Sequence, residues 1–226
     1  MKRERLTRLI PTVLLAVLLS IVQGTAVRGL AAAEPANDSE PPQLFYLESG
    51  DKKTAIELDK PFASEVFSGK QPTTLRVETY RVFPYAGLKF RYPREYTFDA
   101  DMTEPGVSIW TLSGNSCVIM VQLFKGQKDH TRLRGQVADA MLAALSGMKR
   151  ADEEPSLKLK DQTISGERLL TTFGPVSLVQ DLYSFPSGED AVTLILQDTP
   201  QDNGQPSADR VRAGKLFCET LELPAE

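Results

Sequence analysis

The chain has 226 residues, of which 41% are hydrophobic, with 30 acidic against 26 basic groups and a formal net charge of −4. That length suits one domain of ordinary size with terminal additions. The acidic balance argues against a nucleic-acid partner, because phosphate backbones are held by an excess of Lys and Arg.

The first 33 residues differ in composition from the rest. Lys2, Arg3, Arg5 and Arg8 stand against Glu4, residues 9–27 carry no charge, and residues 13–22 are an almost unbroken apolar run. This is the pattern of a signal peptide, so residues 1–33 are expected to be removed and the protein to be exported, to a periplasm or as a secreted chain. Ala31-Ala32-Ala33 fits a cleavage site before Glu34, and Gly24-Thr25-Ala26 is a nearer one, so cleavage after Ala26 or after Ala33 stays open. The alternative is an uncleaved membrane anchor at residues 9–27, long enough as a helix to cross roughly 30 Å of hydrocarbon, although Pro11 and Gly24 shorten its core. No cysteine lies near the apolar run, which excludes a lipid anchor on an N-terminal Cys. Residues 1–33 hold five of the 26 basic groups and one of the 30 acidic ones, so the remainder carries 21 against 29, a net of −8.

Residues 34–43, with three prolines and little to bury, read as a flexible leader. An N-terminal extension follows at 44–73. In it the runs 44–47 and 54–58 flank a turn-rich stretch at 49–53 and can pair as a hairpin, while Phe62, Val66 and Phe67 form a helical turn ended by Gly69. A single domain is expected over 74–223. Leu75, Val77 and Thr79 alternate with polar residues, the pattern of a strand with one buried face. Leu88, Phe90 and Tyr92 share a face opposite Lys89 and Arg91, and Pro93 stops that strand.

Strands at 107–112 and 117–124 are joined by Ser113-Gly114-Asn115-Ser116, a hairpin loop in length and composition. The second is apolar on both faces: Cys117, Ile119, Val121 and Leu123 on one, Val118, Met120 and Phe124 with only Gln122 polar on the other. Such a strand needs cover on both sides. Two helices are expected to supply it. One spans 131–148, with Leu133, Val137, Ala140, Met141, Ala144, Leu145 and Met148 in one stripe. The other spans 207–221, with Val211, Gly214, Phe217, Cys218 and Leu221 in its stripe and Ser207 as cap. Further strands at 157–160, 168–173, 176–185 and 191–197 lie between them. The order describes an α+β protein, an antiparallel sheet flanked by helices.

The stretch Gly87-Leu88-Lys89-Phe90-Arg91-Tyr92-Pro93-Arg94-Glu95-Tyr96, with the closing segment Leu216-Phe217-Cys218-Glu219-Thr220-Leu221, resembles the PsbP-like superfamily over residues 82–223. The resemblance implies an α/β/α sandwich. The family includes bacterial envelope members of the DcrB type among proteins of very different function, so no functional residue is carried over.

Cys117 and Cys218 are the only cysteines. In an exported chain the pair can form one disulfide, and if the closing helix covers the Cys117 face of its strand the two thiols point into one layer; two separate buried thiols are the alternative. His130 is the only histidine, which argues against a histidine triad or a multi-histidine metal site, and its place at a helix entrance suits an exposed polar residue. The acids Asp99, Asp101 and Glu104, and the group Asp198, Asp202 and Asn203, read as solvated loop residues rather than cation ligands. Tyr85, Tyr92 and Tyr96 are candidates to face a ligand groove, with core packing as the alternative. No catalytic residue, metal site or cofactor is expected. The leading functional reading is an exported, non-catalytic binding or accessory protein of the cell envelope, whose partner is another envelope protein or a small apolar ligand, with no nucleic acid and membrane contact only if residues 9–27 persist. The rival is an envelope hydrolase with a site assembled from loop Ser or carboxylate residues.

Overall fold

A computed structural model describes residues 38–56, 72–159 and 162–223; the expected signal segment at 1–33, residues 34–37 and the expected turn at Phe62 to Phe67 lie outside them. In chain order the elements begin with β1 (Phe45–Ser49), β2 (Lys52–Ile56), β3 (Thr73–Val77), β4 (Tyr80–Phe83), β5 (Phe90–Pro93), β6 (Thr97–Asp101), β7 (Val107–Ser113) and β8 (Cys117–Phe124). After helix α1 (His130–Ala144) come β9 (Lys149–Arg150), β10 (Ser156–Lys158), β11 (Thr163–Ser165), β12 (Glu167–Phe173), β13 (Val176–Ser187) and β14 (Asp190–Asp198), and helix α2 (Ala208–Thr220) follows.

Seven strands form the main sheet in the order β6-β7-β8-β14-β13-β12-β9, each pair antiparallel. The chain runs up through β6, β7 and β8, crosses by α1 to the far edge at β9, and returns through β12 and β13 to lay β14 against β8. The described residues are therefore of the α+β class, mostly antiparallel sheet with two helices. Along β8 the side chains alternate as a pleated strand requires. Ile119 and Val121 join the cluster of Phe83, Phe90, Tyr92, Trp110 and Phe217, while Met120 and Phe124 join that of Leu133, Val137, Met141 and Ile195. Both faces are thus buried, one beneath α1 and the other beneath the β4–β5 ribbon and α2.

Several local expectations are corrected by packing. Helix α1 ends at Ala144 rather than at 148: Leu145 is extended, Gly147 takes φ +84°, and the buried Leu145 and Met148 reach the core from the exit loop. In α2 only Ala213 and Phe217 are buried, and Val211, expected on the apolar stripe, is 62% exposed. The period-two reading of residues 75–79 expects a buried face, yet β3 is the edge of a separate three-stranded sheet in the order β2-β1-β3, and Leu75 is 58% exposed. The end of the stretch expected to be a flexible leader also lies against the body, with Pro41 buried and the Gln43 Nε2 donating to the Glu78 carbonyl at 3.1 Å.

The expected Cys117–Cys218 bridge is not formed; both thiols are free. Both do border the same aromatic cluster. What separates them is axial offset. The Asp209 carboxylate accepts from the Asn115 and Ser116 amides at 2.8 and 3.0 Å, pinning the first turn of α2 beside the start of β8. Cys218 lies about nine residues further along that helix, roughly 13 Å at 1.5 Å per residue, whereas a bridge needs Cα atoms within about 7 Å. Thiol titration of the unfolded, unreduced protein is expected to return two thiols per chain, and a reductant should leave the melting temperature unchanged.

Gly114, in the β7–β8 turn, has a sequence-independent role: a Cβ there would stand 2.5 Å from the Tyr96 ring, itself fixed in the core. Gly114→Ala is expected to destabilise by about 1–3 kcal/mol through overpacking. A urea titration monitored by Trp110 fluorescence measures it.

Candidate functional site

On the α1 side of the sheet, positions that the strand pattern reserves for apolar side chains hold polar ones. Thr193 of β14 stands opposite Gln122 of β8 on one side and Ser184 of β13 on the other. The three side chains form a row across the sheet and are 0%, 0% and 3% exposed. His130, the first residue of α1, closes the row, its Nδ1 lying 3.2 Å from the Ser184 Oγ. The Asp129 carboxylate does not complete a triad, since it caps α1 by accepting from the Arg132 amide at 2.9 Å. Gln122 Nε2 has only the thioether of Met120 at 3.1 Å, and Gln122 Oε1 and Thr193 Oγ1 are buried with no hydrogen-bond partner.

Beyond the apolar Leu182–Ile195 pair on the same face lies a second polar pair, where Gln180 Nε2 donates to Gln197 Oε1 at 2.9 Å. A buried polar atom left unmatched costs about 1–3 kcal/mol, so the row is a local cost within an otherwise apolar face. Nucleophilic attack is a different matter. Ser184 sits inside β13, its main chain in the ladder with β14 and its hydroxyl covered, so no acyl carbon has a path to it.

The aromatic candidates sit inside the first cluster. Tyr85 is 9% exposed and stacks on Trp110 at 5.5 Å, Tyr92 is fully buried beside Arg81, and Tyr96 is 2% exposed beside Cys117. Burial pushes the Tyr92 hydroxyl up to about 12 and the Cys117 thiol up to about 11, and raises Tyr96 and Tyr183 as well. The sign follows directly. Below pH 9.0 both the folded and the unfolded chain hold these protons. Above it the unfolded chain ionises first, at the ordinary values of 9.0 for Cys and 10.0 for Tyr, while the folded chain resists to about 11 and about 12. Unfolding free energy is therefore expected to fall between pH 9 and 12, by up to about 1.4 kcal/mol per pH unit for each such group. Urea titrations at fixed ionic strength across that range check it.

Among the acids, Asp101 accepts from the Thr103 amide and hydroxyl at 2.9 and 2.6 Å, closing its own turn. Asp99 is exposed and Glu104 half-buried. Asp198 corrects the solvated-loop reading. It is 4% exposed and accepts from the Ser207 amide at 3.1 Å and hydroxyl at 2.5 Å, while the Ser207 hydroxyl in turn accepts from the Arg210 amide at 3.0 Å. The acid thereby fastens the capping residue of α2 to the end of β14. Asn203 accepts from the Gln205 amide at 2.9 Å, within its own loop. Among the described residues no group of three or more His, Cys, Asp or Glu is placed to hold a metal ion. The polar row itself was legible only as the lone Gln122 in an apolar strand face, because its other members come from distant segments.

The fold thus defines an antiparallel α+β protein with a polar row buried under its first helix. No protein-family model and no curated protein matches the sequence. Solved structures similar to it include these two. One is a protein from Bacteroides thetaiotaomicron VPI-5482, at 14% identity and a TM-score of 0.41, covering 66% of this chain and 50% of that one. The chain therefore spans half the length of that relative. The other is LpqN, involved in cell envelope biogenesis of Mycobacterium tuberculosis, at 14% identity and a TM-score of 0.40, covering 61% of this chain and 83% of LpqN. Among the described residues no helix is long and apolar enough to cross a membrane.

Proposed function

We propose that this chain is an exported, non-catalytic accessory protein that acts by binding another protein in the cell envelope. Export rests on the basic, apolar and small-residue order of residues 1–33. The observation that favours binding over hydrolysis is the placement of Ser184: the serine that meets His130 lies within a strand ladder and is 3% exposed. In this reading residues 74–223 form one PsbP-like α/β/α domain, 44–73 is an extension to it, and the sheet's two cores serve as a rigid support for surface contacts. The aromatic side chains that could have greeted a small apolar ligand are spent in the core, which leaves a protein partner as the better fit.

A hydrolase built on Ser184 and His130 is the second reading, favoured by their 3.2 Å contact. Two measurements separate the readings. Affinity capture by the exported chain from its own envelope fraction should return one partner in fixed ratio, re-formed from purified components. A fluorophosphonate probe should leave the native protein unlabelled; labelling that Ser184→Ala abolishes would replace the binding reading with the hydrolase. The intact mass of exported material should lack residues 1–33, and a full-length chain in the membrane fraction would establish the anchor instead.

A further inference from the structure

The stretch before β1 is held down by a site that the rest of the protein builds. Arg81 of β4 and Tyr92 of β5 face each other across the ladder of the two strands, and Tyr85 in the connection between them is stacked on Trp110. On this surface lie Ser39, Glu40 and Pro41 in succession. The Tyr85 hydroxyl donates to the Ser39 carbonyl, the Arg81 guanidinium pairs with the Glu40 carboxylate, and Pro41 is buried. The two contacts read a main-chain carbonyl and a carboxylate of an extended peptide, and the proline that follows them is buried. Glu40 and Pro41 each precede a proline, Pro41 and Pro42, which biases both toward extended backbone before any contact is made.

The occupant does not use the whole site. The Arg81 side chain is 17% exposed against 47% for Glu40, so the cation belongs to the body and the anion to the surface. Arg81 Nε is buried with no hydrogen bond; the wholly buried Tyr92 hydroxyl lies beside the guanidinium, which can donate to its oxygen but has no lone pair to accept its proton. The Arg81 Nε–H and the Tyr92 O–H are thus two buried donors that the occupant leaves unused. Their supports, Phe83, Phe90 and Trp110, are core residues, whereas the occupant comes from a proline-rich flank.

We propose that Arg81, Tyr85 and Tyr92 form a recognition site for an extended, carboxylate-bearing, proline-containing peptide segment, and that residues 39–41 fill it in cis as a self-ligand that a partner's segment displaces. This rests on the binding role above and gives that role a place on the molecule. A tethered occupant acts at an effective concentration in the millimolar range, so a free peptide is resisted until the tether's own contacts are weakened.

The probe is a fluorescein-labelled peptide of residues 38–43, Asp-Ser-Glu-Pro-Pro-Gln, followed by anisotropy with the full chain. The chain carrying Glu40→Ala and Pro41→Gly is expected to bind it at least about tenfold tighter than the unaltered chain, because the competitor is disabled while the site is intact. A peptide with Gln in place of Glu should lose that gain, as should addition of Arg81→Gln to the chain, and added salt should weaken binding. If the doubly substituted chain melts cooperatively yet binds the peptide no more tightly than the unaltered one, the self-ligand is overturned. If the partner captured from the envelope is held equally well by Arg81→Gln, the binding role stands and this site is not where it acts.

Discussion

Asp181→Ala is expected to cost about 3–5 kcal/mol, the loss that follows when one member of a buried ion pair is removed and its partner stays charged. Asp181 is 5% exposed and stands opposite Arg168 in the β12–β13 ladder. Arg168 grips it with two nitrogens, Nε at 2.6 Å and Nη2 at 3.1 Å, and Arg210 of α2 approaches to 3.6 Å. The carboxylate lies between two guanidinium groups that are themselves mostly covered, with side-chain exposures of 26% and 20%, and Arg168 also pairs with Glu153. The charge of Asp181 also holds the Arg168 proton more firmly, through the hydrogen bond it accepts. Thermal and urea unfolding of Asp181→Ala measure the loss. The double variant Asp181→Leu with Arg168→Met should recover part of it, because an apolar pair of similar volume avoids the desolvation of both charges while Arg210 still loses its carboxylate. Equal losses in the single and double variants would show that packing, not charge, sets the effect.

Phe217→Ala is expected to cost about 3–5 kcal/mol as well, by the cavity route. The ring is wholly buried, 4.7 Å from Phe90, which in turn stacks 4.7 Å from Phe83. Only Ala213 and Phe217 of α2 are fully buried, so this ring is the large apolar anchor of the helix on the ribbon, beside the hydrogen bond from the Arg91 amide to Thr220 Oγ1 at 2.8 Å. The loss should therefore be uneven: hydrogen exchange ought to quicken across residues 208–220 before it quickens in the central strands. Uniform quickening would mean that α2 and the sheet unfold as one unit. Phe217→Leu, which keeps most of the volume, is expected to cost far less.

Sequence alone determined the parts of this structure that rest on short-range rules. The alternation of residues 117–124 read correctly as a strand with two buried faces, because strand side chains alternate whatever the fold around them. The turn at Ser113 to Ser116, the cap at Ser207 and the existence of both helices were legible for the same reason: each depends on neighbours within about four residues. Tertiary structure decided the rest. Whether β3 buries its apolar face depends on which sheet it joins, and it joins a small one with that face open. The cysteines share a layer but not a height, since the Asp209 contacts fix where along α2 the sheet meets the helix. Asp198 resembles any loop acid until Ser207, nine residues on, folds back to it. The row of Gln122, Ser184 and Thr193 is assembled by strand order and register, and His130 meets Ser184 across 54 residues of chain. Such contacts are chosen by how the whole chain closes on its core, and no local pattern encodes that closure.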